Sequence, residues 1–286
     1  SNTFMNLILQ IQSSYNQFTK AEKKVADYCL AHRDEIPYLS ITELADACEV
    51  GDTSVYRFCR TLKLEGYQEF KMKFSLSQNA ANHSEEAVSE FETSTTAFDA
   101  FAKKIMNSHK NAIEETYHLL NPSTFERVLD LLESAEHIYF FGVGDSLLVA
   151  EEARNRFLRL TTKVNCITDP HMQAVAASLS TEKDLIFLIS YSGSTKDNIQ
   201  IAKLAKERGA KVVCISHFQK SPLTAYCDAV LLCGSKEGPL NRGSMSAKSA
   251  QLYLIDLLYQ SMYERNPEES FKNNELATAS VVDRSV

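Results

Sequence analysis

Ser190-Tyr191-Ser192-Gly193-Ser194-Thr195 joins an apolar run at 184–189 to a helical pattern over 196–208. Hydroxyls packed between a buried strand and a helix start sit where backbone N–H groups lack intrahelical partners. Such a start attracts an anion with several oxygens, phosphate above all. Gly193 lets the backbone bend sharply there. A second turn, Gly142-Val143-Gly144-Asp145-Ser146, follows the apolar run 137–141 and adds two glycines and a hydroxyl. Ser190, Ser192, Gly193, Ser194 and Thr195, with Gly144 and Ser146, are therefore candidate ligand-binding residues. Two such turns from neighbouring strands converge on one crevice.

Other chemistries fit these residues less well. A dinucleotide site wants G-x-G-x-x-G, and Leu147 stands where the third glycine belongs. Asp169, near the end of the second strand, could imitate only the acidic ribose contact. An aldose–ketose isomerase needs a base and a ring-opening acid. Glu151, Glu152, Glu237 and His171 are candidates by position, but no spacing aims a Glu–His pair at one carbon. His171 and Glu237 serve equally as partners for sugar hydroxyls. The seven cysteines are scattered, with no C-x-x-C pair. Neither a disulfide framework nor a zinc site is expected, and no metal or cofactor is called for.

The surrounding chain must position these turns. With 286 residues and 44% hydrophobic content, it is long enough for two packed domains. Beyond residue 98 two helical patterns, 98–120 and 121–134, lead into strand–helix alternation. The strands are 137–141, 164–167, 184–189, 212–216 and 229–232. Helices fall over 146–160, 171–179, 195–208, 221–226 and 246–263. This predicts an α/β domain with a parallel five-stranded sheet and helices on both faces. No apolar run spans a bilayer, and a cytoplasmic protein is expected.

Residues 1–76 read as all helix. Thr19-Lys20-Ala21-Glu22 and Ser40-Ile41-Thr42-Glu43 are capping boxes. The second opens a short helix, followed by a Gly51-containing turn and a helix over 52–63. That is the helix-turn-helix pattern, whose second helix enters the major groove. Val55, Phe58 and Leu62 form its inner stripe. Thr53, Ser54, Tyr56, Arg57 and Arg60, continued by Lys63 and Lys71, are the DNA-binding candidates. The net charge of −7 argues against nonspecific nucleic-acid binding by the whole molecule, not against a local basic face. The expected division is a DNA-binding domain 1–76, a polar linker 77–97, an α/β domain 98–265 and a tail 266–286 without clear period.

The runs Ile41-Thr42-Glu43-Leu44-Ala45, Thr53-Ser54-Val55-Tyr56-Arg57-Phe58 and Leu64-Glu65-Gly66-Tyr67-Gln68-Glu69-Phe70-Lys71 resemble the N-terminal domain of RpiR-type transcriptional regulators. The two serine-bearing turns, Asp169-Pro170-His171, Ser221-Pro222-Leu223 and 246–256 resemble the sugar isomerase (SIS) domain that such regulators carry. Gly51 stands where the family has a capping Ser, Lys63 where it has Gly, and Lys248 where Arg is common. The resemblance implies an all-α helix-turn-helix domain followed by an SIS-type α/β domain whose matched Ser and Thr hold a phosphate. It further implies a homodimer or homotetramer on a palindromic DNA operator, a phosphosugar effector and repression. A phosphosugar isomerase with an appended helical domain is the alternative, and a protein-binding SIS module a third reading.

Overall fold

A computed structural model describes residues 6–82, 95–236, 238, 240 and 243–282. They form two compact units, one within Ser1–Asn107 and Lys236–Ser244, the other within Ser108–Ser235 and Met245–Val286.

The first unit is helical. α1 (Leu7–Ser13), α2 (Lys20–Ala31), α3 (Ile41–Ala47), α4 (Asp52–Thr61) and α5 (Tyr67–Asn82) enclose one apolar core. Both expected capping boxes form, at Thr19–Glu22 and Ser40–Glu43. Val55, Phe58 and Leu62 are fully buried. Phe58 packs against Phe18 and Phe70, with ring centroids 5.2 and 5.5 Å apart. Thr61 donates to Glu22 at 2.8 Å, so the acid that completes the α2 box also anchors α4. The expected linker is helical at both ends: α5 runs on to Asn82, and α6 begins at Thr95. Ser77 explains the first extension, since its hydroxyl accepts the Leu7 N–H at 2.9 Å and is buried. Residues 83–94 lie outside the described residues.

α6 (Thr95–His118) is long, and its apolar stripe is unevenly covered. Ala112 is buried, while Phe101 and Ile105 remain about half exposed. α7 (Pro122–Ser134) leads into the sheet, with Val128, Leu129 and Leu132 turned inward.

The second unit is built on β1 (His137–Phe141), β2 (Val164–Asn165), β3 (Asp184–Ile189), β4 (Lys211–Ser216) and β5 (Ala229–Leu232). All pairs are parallel, in the order β2-β1-β3-β4-β5. Successive side chains of a strand point to opposite faces. Leu185, Phe187 and Ile189 accordingly join α7, α8 (Asp145–Phe157) and α11 (Met245–Arg265) on one face. Ile186 and Leu188 join α9 (Pro170–Ser178) and α10 (Lys196–Glu207) on the other. Two sheets of helices around an almost wholly apolar β3 are what a parallel sheet requires.

Three expectations need correction. The 221–226 segment is not a helix but a single 3₁₀ turn, Thr224–Tyr226. β2 stops at Asn165, two residues short. The C-terminal segment is not an aperiodic tail: α12 (Pro267–Val282) is a 16-residue helix. It is fixed by polar bonds, from Arg159 to Asn274 and Thr278 and from Asn273 to the Leu160 carbonyl. No helix among the described residues is long and apolar enough to cross a membrane.

Candidate functional site

Two surfaces collect the candidate residues, one in each unit. In the helical unit, α3 and α4 are joined by a tight turn. Val50 N–H reaches the Ala45 carbonyl and Glu49 N–H the Asp46 carbonyl, with Glu49 at φ 55°. α4 closes in the same way: Leu64 N–H bonds Cys59 and Lys63 N–H bonds Arg60, with Lys63 at φ 62°. Both are left-handed helix ends of the kind that ordinarily takes Gly. Lys63 thus accepts the constrained backbone instead of extending the helix.

On the outer side of α4, Thr53, Tyr56, Arg57 and Arg60 are exposed and Ser54 is half-buried, followed by exposed Lys63. Arg60 is held loosely, 3.3 Å from the Leu64 carbonyl and 3.4 Å from Glu65. Lys71 does not join this face. It is only 5% exposed, and its ammonium lies 5.2 Å from the Tyr67 ring centroid. The α4 start has no side-chain cap; Asp52 does not act as one, and its carboxylate accepts the Thr42 hydroxyl at 2.9 Å.

In the α/β unit, β1 lies between β2 and β3, so the connections diverge between β1 and β3. Ligands of open parallel sheets bind beyond the strand ends at such a switch point. The two glycine–serine turns leave β1 and β3, on either side of it. Gly142 closes the first turn: a Cβ there would come within 2.6 Å of the Ser146 carbonyl oxygen. Gly144 then begins α8 at φ 61° without a side-chain cap. In the second turn Gly193 is also at φ 61°, and a Cβ would overlap Ser221. Ser190 is buried, and its hydroxyl accepts the Gly193 N–H at 3.2 Å. The Ser194 N–H bonds the Ser192 hydroxyl, and the Ser194 hydroxyl bonds the Ser192 carbonyl, each at 3.2 Å. Thr195 begins α10 but caps nothing.

The geometry separates these roles. Ser190 braces the turn from within. Ser192, Ser194 and Thr195 are partly accessible at an open helix start. An anion there would meet the α10 N–H groups and the positive end of its dipole. Asp145, in the first turn of α8, would repel it, but the Lys248 ammonium lies 2.9 Å away and offsets that charge. Ser146 is half-buried on α8. His171 is exposed on the first turn of α9, whose start Asp169 caps through the Met172 N–H at 2.9 Å. Asp169 is thus a cap. Glu237 lies outside the described residues.

Sequence reading passed over several contributors. Gln173 is fully buried and donates to the carbonyls of Gly142 at 3.1 Å and Ile167 at 2.7 Å, tying the ends of β1 and β2. Ser216 donates to the Tyr191 carbonyl at 3.1 Å. His217 stacks on Tyr191, with centroids 4.9 Å apart and planes 9° from parallel. None lies in a recognisable spacing; the residues meet only because β1, β3 and β4 are neighbours. Burial pushes the Cys59 thiol up to about 12 and Cys48 and Cys166 to about 11, so these are protonated packing residues rather than nucleophiles. Among the described residues no cluster of three or more His, Cys, Asp or Glu could hold a metal.

The profile of the helix-turn-helix domain, rpiR family, matches residues 5–83, and that of the SIS domain matches residues 131–261. An HTH-type transcriptional regulator from Haemophilus influenzae is 35% identical over 255 residues, covering 89% of this chain and 88% of that protein. The HTH-type transcriptional regulator HexR of Pseudomonas aeruginosa is 34% identical, over 88% of this chain and 87% of its own. Among solved structures, the Vibrio vulnificus NanR protein complexed with ManNAc-6P superimposes with a TM-score of 0.87 at 28% identity, covering 98% of this chain and all of that one.

Proposed function

The chain belongs to the rpiR family of helix-turn-helix transcriptional regulators, and from that premise we propose that it represses sugar-metabolism genes under the control of a phosphosugar bound between the starts of α8 and α10. The observation that carries the ligand side is the pair of uncapped helix starts at the β1/β3 switch point, surrounded by Ser146, Ser192, Ser194 and Thr195. Two open helix starts and four hydroxyls match a phosphate better than a neutral sugar. NanR, similar over its whole length, is described with ManNAc-6P, which supports a hexosamine- or hexose-phosphate class. Ser192, Ser194 and Thr195 would take the phosphate. Ser146, His171 and Glu237 would read the sugar.

On the DNA side, α4 is the recognition helix. Thr53, Ser54, Tyr56 and Arg57 reach base edges and nearby phosphates, and Arg60 and Lys63 the backbone. A homodimer or homotetramer would place two such helices on a palindromic operator, with half-sites about 34 Å apart. The protein works in the cytoplasm, where its operator is. An isomerase reading would need a base and an acid aimed at one carbon.

The test is thermal unfolding with glucose 6-phosphate, fructose 6-phosphate and N-acetylmannosamine 6-phosphate. A ligand at 100 times its Kd stabilises the native state by about 2.7 kcal/mol. A shift lost in the Ser192→Ala, Thr195→Ala double variant supports the crevice. No shift with any sugar phosphate rejects the effector. Turnover of the sugar, abolished in Glu152→Gln, would make the protein an enzyme.

A further inference from the structure

The turn that would hold the phosphate makes a second connection, at Tyr191. Its hydroxyl donates to the Ser235 carbonyl at 2.5 Å, 44 residues along the chain. Ser235 is held in an unusual backbone state, φ 77°, a left-handed conformation that is costly for a residue with a Cβ.

The surrounding bonds over-determine that conformation. Among the described residues, partners are seen for five of the six backbone N–H and C=O groups of residues 233–235. Cys233 N–H donates to the Ser216 carbonyl at 2.9 Å, and the Cys233 carbonyl lies 2.8 Å from His217 Nδ1. Gly234 N–H donates to Thr116 at 2.8 Å, and Ser235 N–H to Glu115 at 2.9 Å. The fifth is the Tyr191 bond. The Ser235 hydroxyl adds a contact at 3.1 Å to Ser246, in the first turn of α11. Gly234 approaches α6 so closely that a Cβ would lie 2.9 Å from the Ala112 carbonyl oxygen. Strained residues persist where several neighbours hold them, and such residues mark switching elements. Within this clamp Glu115 and Thr116 belong to α6 and Ser246 to α11. Tyr191 belongs to the phosphate turn, between Ser190 and Ser192, where its carbonyl accepts from the Ser216 hydroxyl at 3.1 Å and from the His217 N–H at 3.0 Å.

We propose that the Tyr191 hydroxyl is the relay through which phosphate binding at Ser192–Thr195 sets the backbone of Ser235, and with it the two helices bonded to Ser235, α6 and α11. Tyr191 is a positioning residue, not a ligand contact. The inference rests on the phosphosugar-responsive reading above and adds to it the residue that carries the response. A relay of this kind needs a ligand that binds the two states of the clamp unequally; allosteric couplings usually change affinity about 5- to 150-fold.

The experiment measures operator affinity of the full-length protein with and without the sugar phosphate that most raises the wild-type melting temperature. Tyr191→Phe removes one oxygen and keeps the ring stacked on His217. It should bind operator and sugar phosphate each within about threefold of wild type, while the ligand-induced change in operator affinity collapses towards one. Ser235→Gly frees the same backbone without touching Tyr191 and should show the same loss of coupling; it carries the test if Tyr191→Phe does not fold. A full wild-type response in the folded variants overturns the relay. So does loss of sugar-phosphate binding in Tyr191→Phe, which would make the tyrosine a ligand contact. If no sugar phosphate in the panel changes wild-type operator affinity, the sensing role itself fails and the relay with it, an outcome visible before any variant is made.

Discussion

Ser40 opens α3 and Thr195 opens α10, each with a hydroxyl and an extended backbone at the cap position, yet only one hydroxyl caps its helix. Ser40 accepts the Glu43 N–H at 3.1 Å, and Glu43 returns a bond to the Ser40 N–H at 3.2 Å. Thr195 makes no such bond. The remaining helix starts with described caps divide the same way. Asn6, Thr19, Asn121 and Asp169 close α1, α2, α7 and α9. Gly51 and Gly144 leave α4 and α8 open. A side-chain cap is worth about 1 kcal/mol. That stabilisation is absent at three starts, those of α4, α8 and α10, which the proposed function turns towards phosphates of DNA for α4 and of a sugar for α8 and α10. The capped helices satisfy first-turn N–H groups with their own side chains; these three have no such cap, which is the opening the proposed ligands would fill.

The strongest way to break this comparison is to deform the open start. Gly193→Ala places a Cβ against Ser221 at a position with φ 61°. Strain and overpacking together should cost about 2–4 kcal/mol in urea unfolding. A loss below about 0.5 kcal/mol would mean the turn is not rigidly shaped. Next in size is the paired test of the two caps. Ser40→Ala should lose about 1 kcal/mol of stability. Thr195→Ala should stay within about 0.5 kcal/mol of wild type without ligand, because no cap is removed. In sugar phosphate it should instead lose about 1.5–3 kcal/mol of ligand-induced stabilisation, the worth of a hydrogen bond to a charged group. Equal losses in ligand-free protein would erase the distinction between the two starts.

The features legible in the sequence were those set by local rules. Capping boxes, the helix-turn-helix spacing and the five strands depend on residues a few positions apart. The serine-bearing turns were legible because glycine and hydroxyls between a strand and a helix have a local meaning. α12 escaped because its apolar residues make no buried stripe: Phe271, Leu276 and Val281 are half or more exposed. Polar bonds from Arg159 hold it instead, at Asn274 and Thr278. One signal was available, since Asn266-Pro267-Glu268-Glu269 repeats the Asn-Pro helix start of α7 and places two acids in the first turn. Lys71 is a related case: its charge suggests the basic face, yet the side chain is buried, with its ammonium 5.2 Å from the Tyr67 ring centroid. Gln173, His217 and Ser235 act across 16 to 44 residues, through contacts that only the strand order creates.

The smallest expected effect is the most discriminating for the DNA side. Glu49 and Lys63 occupy matching left-handed positions at the ends of α3 and α4. The backbone strain at each is about 1–2 kcal/mol, partly offset in a Gly variant by greater freedom of the unfolded chain. Glu49→Gly and Lys63→Gly should therefore each stabilise the protein by about 0.5 kcal/mol, read as a higher urea midpoint at unchanged slope. Their effects on DNA should then diverge. Lys63→Gly removes a cation from the end of the recognition helix. It should weaken operator binding across sequences and lower the salt-dependence slope by about one, the mark of one lost phosphate contact. Glu49→Gly removes an anion and should leave that slope no smaller. A slope unchanged in Lys63→Gly would take Lys63 off the DNA face and leave its backbone strain without a functional reason.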